Sequence, residues 1–331
     1  MERSMAIPPE VLAAKDALED FLFSTGIVTG VAIGVRDEEQ PDPDDLALRV
    51  FVRDASRVPI EVRTALQFFP FQVVFVQRAF ATAQLPDNDR YRPVEGGVSV
   101  SPKRFFNAGA GVQHVGTLGA IVKDPLNPDI RYGLSNHHVM CVDMSRSAGD
   151  MMLQPAPTFL GPFPIDEIGP LSDWSFPENT ETGELDAAVC RIDLASIEAV
   201  VDIGPVSGVV DAEPCMQVSK RGRSTGQTFG WIEDIHGSFE ADYPQMPPIT
   251  NAQGAQTTRR ILRNQLQIHV DFPLSIAIGE KGDSGSAVVA GDKVVGLYWG
   301  SGFDPANPGN PIQHGIASRA TEIERLMGVN F

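Results

Sequence analysis

Cysteine is scarce in this chain, with three residues among 331. Cys141, Cys190 and Cys215 are far apart, so no pair has metal-ligand spacing and no disulfide framework is evident. Small secreted domains depend on several disulfides, so this scarcity favours a reducing compartment. We therefore expect a cytoplasmic protein.

Basic residues are also few: 26 Lys and Arg stand against 43 Asp and Glu, a formal net charge of -17. This balance argues against nucleic acid and anionic membrane surfaces as partners. The sequence has no apolar run long enough to span a bilayer, and its start has neither an apolar core nor a small-residue cleavage site. These absences favour a soluble protein whose partners are proteins or peptides.

The first part of the chain, residues 1–90, has the pattern of a small α/β domain. Helical spacing alternates with strand-like runs in the order α-β-β-α-β, which predicts a sheet covered on one face by helices. The predicted helices are 11–23 and 59–66, the predicted strands are 28–36, 46–52 and 71–76, and 37–45 is an acidic loop.

Residues 91–331 differ in character, because short apolar runs are separated by Gly, Pro, Asn and Asp clusters. This pattern is typical of a mainly β barrel or sandwich. We interpret 81–95 as a linker and 220–226 as a hairpin turn, since its glycines do not match a P-loop. Residues 237–263 look like a long loop that gates a cleft, contacts a neighbouring subunit or is cleaved.

Residues 281–286 read Lys-Gly-Asp-Ser-Gly-Ser and precede an apolar stretch. This places Ser284 in a tight turn between Gly282 and Gly285, where the backbone can adopt conformations closed to other residues. A nucleophilic serine needs an exposed hydroxyl with a free main-chain N–H beside it. Ser284 is therefore a candidate nucleophile if a base and an acid lie elsewhere in the chain.

Both partners occur upstream. Residues 135–139 read Ser-Asn-His-His-Val, and residues 186–189 read Asp-Ala-Ala-Val at the start of an apolar strand. The order His, Asp, Ser is the one that the chymotrypsin architecture uses. These motifs resemble the Thr-Asn-x-His-Val, Asp-hydrophobic-Ala-Val and Gly-Asp-Ser-Gly motifs of trypsin-like proteases.

This resemblance implies a two-barrel trypsin-like protease domain at 91–331, preceded by the small α/β domain. The first barrel would span about 111–200 and the second about 201–318, with the triad in the cleft between them. A closing helix at 319–327 is expected to pack on the second barrel. No metal or organic cofactor is implied.

A closer resemblance covers most of the chain. Residues 92–99, 116–122, 218–230 and 310–312 together resemble the bacterial relatives of the plant NARROW LEAF proteases. That family implies an intracellular-type serine endopeptidase with an extra domain before the protease domain. The plant relatives also point toward homo-oligomers.

The motifs imply a role for each residue. His138 directly precedes the valine of the motif, which makes it the general base and leaves His137 as a structural neighbour. Asp186 would orient the imidazole, and the N–H groups of Gly282 and Ser284 would form the oxyanion hole.

Asp283 lacks the partner that its counterpart has in secreted trypsins, a new N-terminal ammonium. We expect Lys220 or Arg221 to replace it, or Asp283 to cap its own turn. Our hypothesis is that activity requires no N-terminal processing.

The strand containing Tyr298, Trp299 and Gly300 resembles the trypsin strand that binds substrate backbone and walls the primary specificity pocket. Ile278 falls at the pocket base, and Lys281 is a further candidate substrate contact. An isoleucine cannot pair with Lys or Arg, so we predict an apolar or small P1 residue.

The sequence thus predicts a serine endopeptidase that acts through an acyl-enzyme. Three alternatives stay open: a catalytically silent trypsin-like scaffold that binds partner proteins, a self-cleaving protease, and an esterase.

Overall fold

The computed structural model describes residues 8–25, 27–36, 45–52, 58–77, 87–107, 111–112, 114–156, 166–251, 254–272, 274–302 and 314–331. The chain forms two compact units, Met1–Thr82 and Ala83–Phe331. The resembling segment 310–312 and most of the acidic loop 37–45 lie outside the described residues.

The first unit has the predicted order α-β-β-α-β. Strand β2 pairs antiparallel with β1 and parallel with β3, and side chains such as Leu22, Leu48, Val50 and Val62 form its core. The elements are α1 (Pro9–Ser24), β1 (Val28–Val35), β2 (Leu46–Val52), α2 (Ile60–Leu66) and β3 (Gln72–Gln77).

The second unit is built mainly of strands. Its strands are β4 (Val94–Gly96), β5 (Val98–Pro102), β6 (Phe106–Asn107), β7 (Gly111–Val112), β8 (Gly116–Leu118), β9 (Ala120–Lys123), β10 (Arg131–Ser135), β11 (Met151–Gln154), β12 (Asp166–Ser175), β13 (Thr182–Gly183), β14 (Ala187–Arg191), β15 (Ser196–Val200), β16 (Gly204–Pro205), β17 (Gln217–Gly222), β18 (Gly226–Asp242), β19 (Ile249–Thr250), β20 (Gln256–Thr257), β21 (Arg259–Val270), β22 (Ala287–Ala290), β23 (Lys293–Gly302) and β24 (His314–Arg319). Its helices are α3 (His137–Met140), α4 (Ala320–Met327) and a 3-10 turn, Lys103–Phe105.

The first seven-stranded sheet has the order β8-β5-β11-β12-β14-β10-β9. Because β8 and β9 are consecutive and separated only by Gly119, the sheet returns to its starting segment and closes into a barrel. The barrel begins at Val98, earlier than the predicted residue 111, because Val98 and Val100 are fully buried in its core.

The second barrel has the order β21-β18-β17-β22-β23-β24 and closes through pairing of β24 with β21. Its core contains Leu266, Ile268, Val288 and Val295. The predicted hairpin turn joins β17 to β18. The predicted mainly β fold with a two-barrel domain is therefore confirmed.

The interpretation of 237–263 as a loop was wrong for much of its length. Strand β18 continues to Asp242, and β21 begins at Arg259 and pairs with it. The polar composition hid the alternating pattern of a strand, in which every second residue is apolar. Phe239 and Ala241 pack against Leu262 in a small apolar cluster. We call residues 237–263 the hairpin arm.

The predicted linker was also wrong in its second half. The N–H of Asp87 donates to the carbonyl of Arg223 at 2.7 Å, and the Arg92 guanidinium donates to Asp166 at 2.7 Å. Val94 is fully buried. Residues 87–95 are therefore packed parts of the second unit, held by polar contacts that composition alone does not indicate.

The closing helix α4 lies one residue inside its predicted bounds. Its buried side chains Ile323 and Met327 join a cluster with Leu134 and Val189 of the first barrel and Leu297 of the second. The helix therefore packs on both barrels rather than on the second alone.

Candidate active site

His138 and Asp186 form a directly hydrogen-bonded pair. The carboxylate accepts the main-chain N–H of His138 at Oδ1 (3.1 Å) and contacts its Nδ1 through Oδ2 (2.5 Å). Asn136, just before α3, donates its amide to the carbonyl of Asp186 at 2.6 Å. Because Asp186 accepts at Nδ1, this nitrogen carries the proton, and Nε2 is left to act as a base.

Asp186 is fully buried, and its charge is stabilised by these contacts. Burial alone would raise the pKa of its carboxyl, but the charge and hydrogen bond of His138 hold the pKa below its ordinary value. An ionised carboxylate in this position fixes the tautomer of the imidazole and would stabilise an imidazolium if Nε2 took up a proton.

His137 occupies a different environment from its neighbour. Its ring is fully buried and stacks on Phe176 with centroids 4.5 Å apart. Burial lowers the pKa of His137 to about 4, and neither ring nitrogen has a hydrogen-bond partner among the described residues. His137 is therefore a neutral packing residue, and the structure brings His138 to Asp186.

Ser284 lies in a tight turn between two glycines with positive φ, +104° at Gly282 and +94° at Gly285. The carbonyl of Gly282 accepts the Thr117 hydroxyl at 2.9 Å, which fixes the turn against the first barrel. The N–H groups of Gly282 and Ser284 donate to no described residue. Two free donors beside a serine hydroxyl have the chemistry of an oxyanion hole.

Gly116 lets the turn that contains Ser284 lie close to the turn that contains His138. A Cβ at this position would lie 2.4 Å from the side chain of Val139 and 2.9 Å from the carbonyl of Ser284. Val139 follows His138 in the chain, so only a glycine lets the two turns approach this closely. The hydroxyl of Ser284 donates to the carbonyl of Trp299 at 3.3 Å and makes no hydrogen bond to His138, both residues being described.

Asp283 contacts a buried lysine. The ammonium of Lys220 donates to Oδ2 at 2.9 Å, and the two side chains are 1% and 0% exposed. The carboxylate also accepts N–H groups of Ser224, Thr225 and Glu280 and the hydroxyl of Thr225. Burial would raise the pKa of Asp283, but Lys220 and these donors hold it below its ordinary value. Of the two cations considered, Lys220 makes the contact.

The predicted specificity residues lie in several environments. Ile278 and Tyr298 are buried in the core of the second barrel, and Trp299 donates its Nε1–H to Gln265 at 2.8 Å inside the barrel wall. Lys281 is exposed, and a Cβ at Gly300 would meet nothing within 4 Å. Only the last two therefore present open surface.

Tyr298 fills the space between Gly279 and Gly315. A Cβ at Gly279 would lie 2.6 Å from its hydroxyl oxygen, and one at Gly315 would lie 2.8 Å from its ring. The hydroxyl also bonds Ser301. The ring thus occupies the volume between the segment before Ser284 and strand β24, above Ile278.

Sequence motifs did not identify Tyr243 as part of the site. Its hydroxyl donates to Oδ2 of Asp186 at 3.1 Å from the end of β18. The only sequence signal was an aromatic residue continuing the alternation of Phe239 and Ala241 in the hairpin arm.

Within the described ranges, no group of three or more His, Cys, Asp or Glu side chains has the arrangement of a metal site. None of the helices in the described part of the chain is both long and apolar enough to cross a membrane. The three cysteines are free, with Cys141 and Cys190 buried and Cys215 exposed.

No protein-family model and no curated protein sequence matches this chain. Among solved structures, it is similar to a glutamic acid-specific serine protease, with 18% identity and a TM-score of 0.47 over 72% of this chain and 99% of that one. It is also similar to Thermobifida fusca Protease A, with 16% identity and a TM-score of 0.44 over 71% and 96% of the two chains. For Cellulomonas bogoriensis chymotrypsin the identity is 18% and the TM-score 0.43, over 72% and 97%.

Proposed function

We propose that this protein is a serine endopeptidase that uses Ser284, His138 and Asp186. The observation that supports this most directly is the buried His138–Asp186 pair, with Nδ1 and Oδ2 2.5 Å apart, beside a serine turn with two free N–H donors. Among the described residues, no Lys or Arg pairs with Asp186, so its role as orienter of His138 accounts for a buried charge that is otherwise costly.

The reaction proceeds in two halves. Ser284 Oγ attacks the peptide carbonyl carbon while His138 Nε2 takes its proton, and Gly282 and Ser284 N–H groups bind the oxyanion. The C–N bond breaks as His138 returns the proton to the leaving amine, which leaves an ester on Ser284. Water then attacks the ester with His138 as base, the acyl C–O bond to Ser284 breaks as His138 returns the proton to Oγ, and the acid is released. Neither a metal nor an organic cofactor takes part.

For the substrate, we propose a peptide with a small P1 residue such as glycine, alanine or serine. The support is Tyr298, which is 1% exposed and fills the space where the trypsin resemblance places the specificity pocket. A filled pocket accepts a small side chain and excludes an aromatic or long basic one. Gly300 is partly exposed and lies beyond Leu297, where the pairing of β23 with β22 ends, so the substrate backbone would pair there.

The finer relationships are part of the same proposal. Resemblance to the bacterial relatives of the plant NARROW LEAF proteases supports a cytoplasmic enzyme that forms homo-oligomers. The free cysteines fit a reducing compartment. Protein or peptide is the proposed partner class, and the acidic charge disfavours nucleic acid and membranes.

One observation favours a second candidate, a silent scaffold that binds partner proteins. The hydroxyl of Ser284 is directed to the carbonyl of Trp299 instead of to His138. A fluorophosphonate probe distinguishes the two functions, because only an activated serine reacts with it.

We expect the wild-type protein to be labelled and Ser284→Ala to remain unlabelled. Ser172→Ala is the matched control, since it removes an exposed serine outside the site, whose hydroxyl donates to the carbonyl of Pro170 and accepts the N–H of Arg191, both at 3.1 Å. Repeated turnover of a denatured protein then separates an endopeptidase from a self-cleaving protease or an esterase. A wild-type protein that never reacts with the probe would refute the proposed function.

A further inference from the structure

The hairpin arm extends from the second barrel to the chain segment that leads into Asp186. Strand β13 pairs in parallel with β21, with Thr182 opposite Ile261 and Gly183 opposite Leu262. The N–H of Ile261 also donates to the carbonyl of Glu181 at 2.8 Å. The arm is therefore built into the same sheet region as the residues just before the catalytic carboxylate.

Arg260, near the start of β21, holds the hairpin arm in place through hydrogen bonds. Its side chain is fully buried, and its guanidinium donates to the carbonyls of Pro177, Glu178 and Pro247 at 2.8, 3.1 and 3.1 Å. One side chain thus ties the arm both to its own turn and to the first-barrel segment. Such a buried set of charge-assisted bonds gives the arm a defined position.

Tyr243 projects from this anchored arm to Asp186. It is 7% exposed, its hydroxyl donates to Oδ2 at 3.1 Å, and its N–H donates across the arm to Thr258 at 3.3 Å. Its ring packs edge-to-face on Phe176 at 4.7 Å and lies 6.2 Å from the ring of His138. Burial and the nearby charge of Asp186 raise the pKa of Tyr243 well above its ordinary value, so its hydroxyl stays a donor.

Three donors therefore hold Asp186, and two of them belong to His138. Without Tyr243, Oδ2 would be fixed only by the imidazole that it is meant to orient. If only His138 held the carboxylate of Asp186, the two side chains could rotate together, and the carboxylate would not fix the orientation of the imidazole. Among the described residues, the other titratable groups that interact with Asp186 or Tyr243 are His137, Cys141 and Arg260.

We propose that Tyr243 is a positioning residue for the triad and that the hairpin arm completes the active site by presenting it. This rests on the proposed function, since it concerns the same Asp186 and His138. Tyr243 touches no reacting atom; it sets the angle and charge of the carboxylate that orients the base.

The test compares Tyr243→Phe with Tyr91→Phe, which also loses a tyrosine-to-carboxylate bond, to Asp87 at 2.8 Å, outside the site. In Tyr243→Phe we expect kcat and the fluorophosphonate labelling rate, per folded molecule, to fall about 10-fold with KM unchanged, as for loss of a bond to a charged acceptor. Tyr91→Phe should match the wild type. In an Asp186→Asn background the effect of Tyr243→Phe should vanish, because the two residues act as one unit.

Proton NMR adds a readout that does not depend on turnover. The low-field resonance of the proton between His138 and Asp186 should shift in Tyr243→Phe and not in Tyr91→Phe. Equal rates and an unmoved resonance would overturn the inference while leaving the protease assignment intact. An equal loss in both Asp186 backgrounds would also overturn it, since that marks a merely structural effect. Absence of labelling in the wild type would instead remove the proposed function, and this inference with it.

Discussion

Replacing Lys220 by methionine is expected to damage both stability and catalysis. Lys220 and Asp283 are 1% and 0% exposed and share a 2.9 Å contact. Methionine has a similar length, so packing is largely kept while the charge is removed. Breaking a buried pair on one side costs about 3 to 5 kcal/mol, because an uncompensated charge stays inside. That is a large part of the about 5 to 15 kcal/mol that stabilises a typical domain.

The catalytic loss follows from the position of Asp283 between Gly282 and Ser284. Four further donors hold its carboxylate, so the turn does not depend on Lys220 for every contact. Protonation or movement of an unpaired carboxylate nevertheless shifts the N–H groups beside it. Loss of one oxyanion donor lowers kcat about 100- to 1,000-fold, and we expect a fall near the lower figure.

Stability is measured by urea unfolding followed by tryptophan fluorescence. Trp174, Trp231 and Trp299 all lie in the second unit, so the signal reports on that unit alone. The double variant Lys220→Met with Asp283→Asn should regain most of the lost stability, since it removes the unpaired charge, but not the activity. A Lys220→Met protein with wild-type unfolding and wild-type labelling would show that the ammonium does not hold the turn.

Four further outcomes are expected. Tyr298→Val should open the filled pocket and raise kcat/KM for a P1 phenylalanine peptide about 100-fold relative to a P1 alanine peptide; an unchanged ratio would refute the filled pocket. Gly285→Ala should prevent folding or labelling, because its Cβ would lie 2.1 Å from the carbonyl of Thr117, and a soluble, labelled variant would contradict this. The pKa values of Asp186 and Asp283 are lower in the folded protein than in the unfolded chain, where they are about 4. The stability that these two carboxylates contribute is therefore present above about pH 4 and is lost as the pH falls through their folded-state pKa values. A urea midpoint that stays flat from pH 6 to about pH 2 would contradict this prediction. Intact-mass analysis of an active preparation should show no cleavage near residue 110, because Lys220 already supplies the cation; activity that appears only after such cleavage would reject our hypothesis.

Much of the fold could be predicted because its signals are local. Apolar spacing gave the elements of the first unit to within about two residues, the usual precision of such boundaries. The two barrels followed from three short motifs in a particular order. Strand pairing could not be predicted in this way, because it depends on partners far along the chain. The hairpin arm, with Asp242 opposite Arg259, was hidden by its charged composition.

The residues of the candidate site likewise fall into those that local sequence motifs predict and those that they do not. His138, Asp186 and Ser284 carry motif signals, since their neighbours must form fixed turns. Tyr298 and Tyr243 have no motif signal, because the role of each depends on the position of its ring in the folded protein. Tyr298 fills a space bounded by Gly279 and Gly315, and no local pattern states which side chain does so.

The site is held together by buried polar contacts between distant segments rather than by covalent links. His138 reaches Asp186 across 48 residues, Tyr243 reaches it across 57, and Lys220 reaches Asp283 across 63. Each contact leaves a buried charge or donor without a partner if either segment is displaced, and such a group is costly. Because these penalties arise in both barrels and in the hairpin arm, partial loosening of any one of them would disturb the proposed triad. A chain whose nucleophile turn and acid are held this way should therefore lose labelling before its barrels unfold.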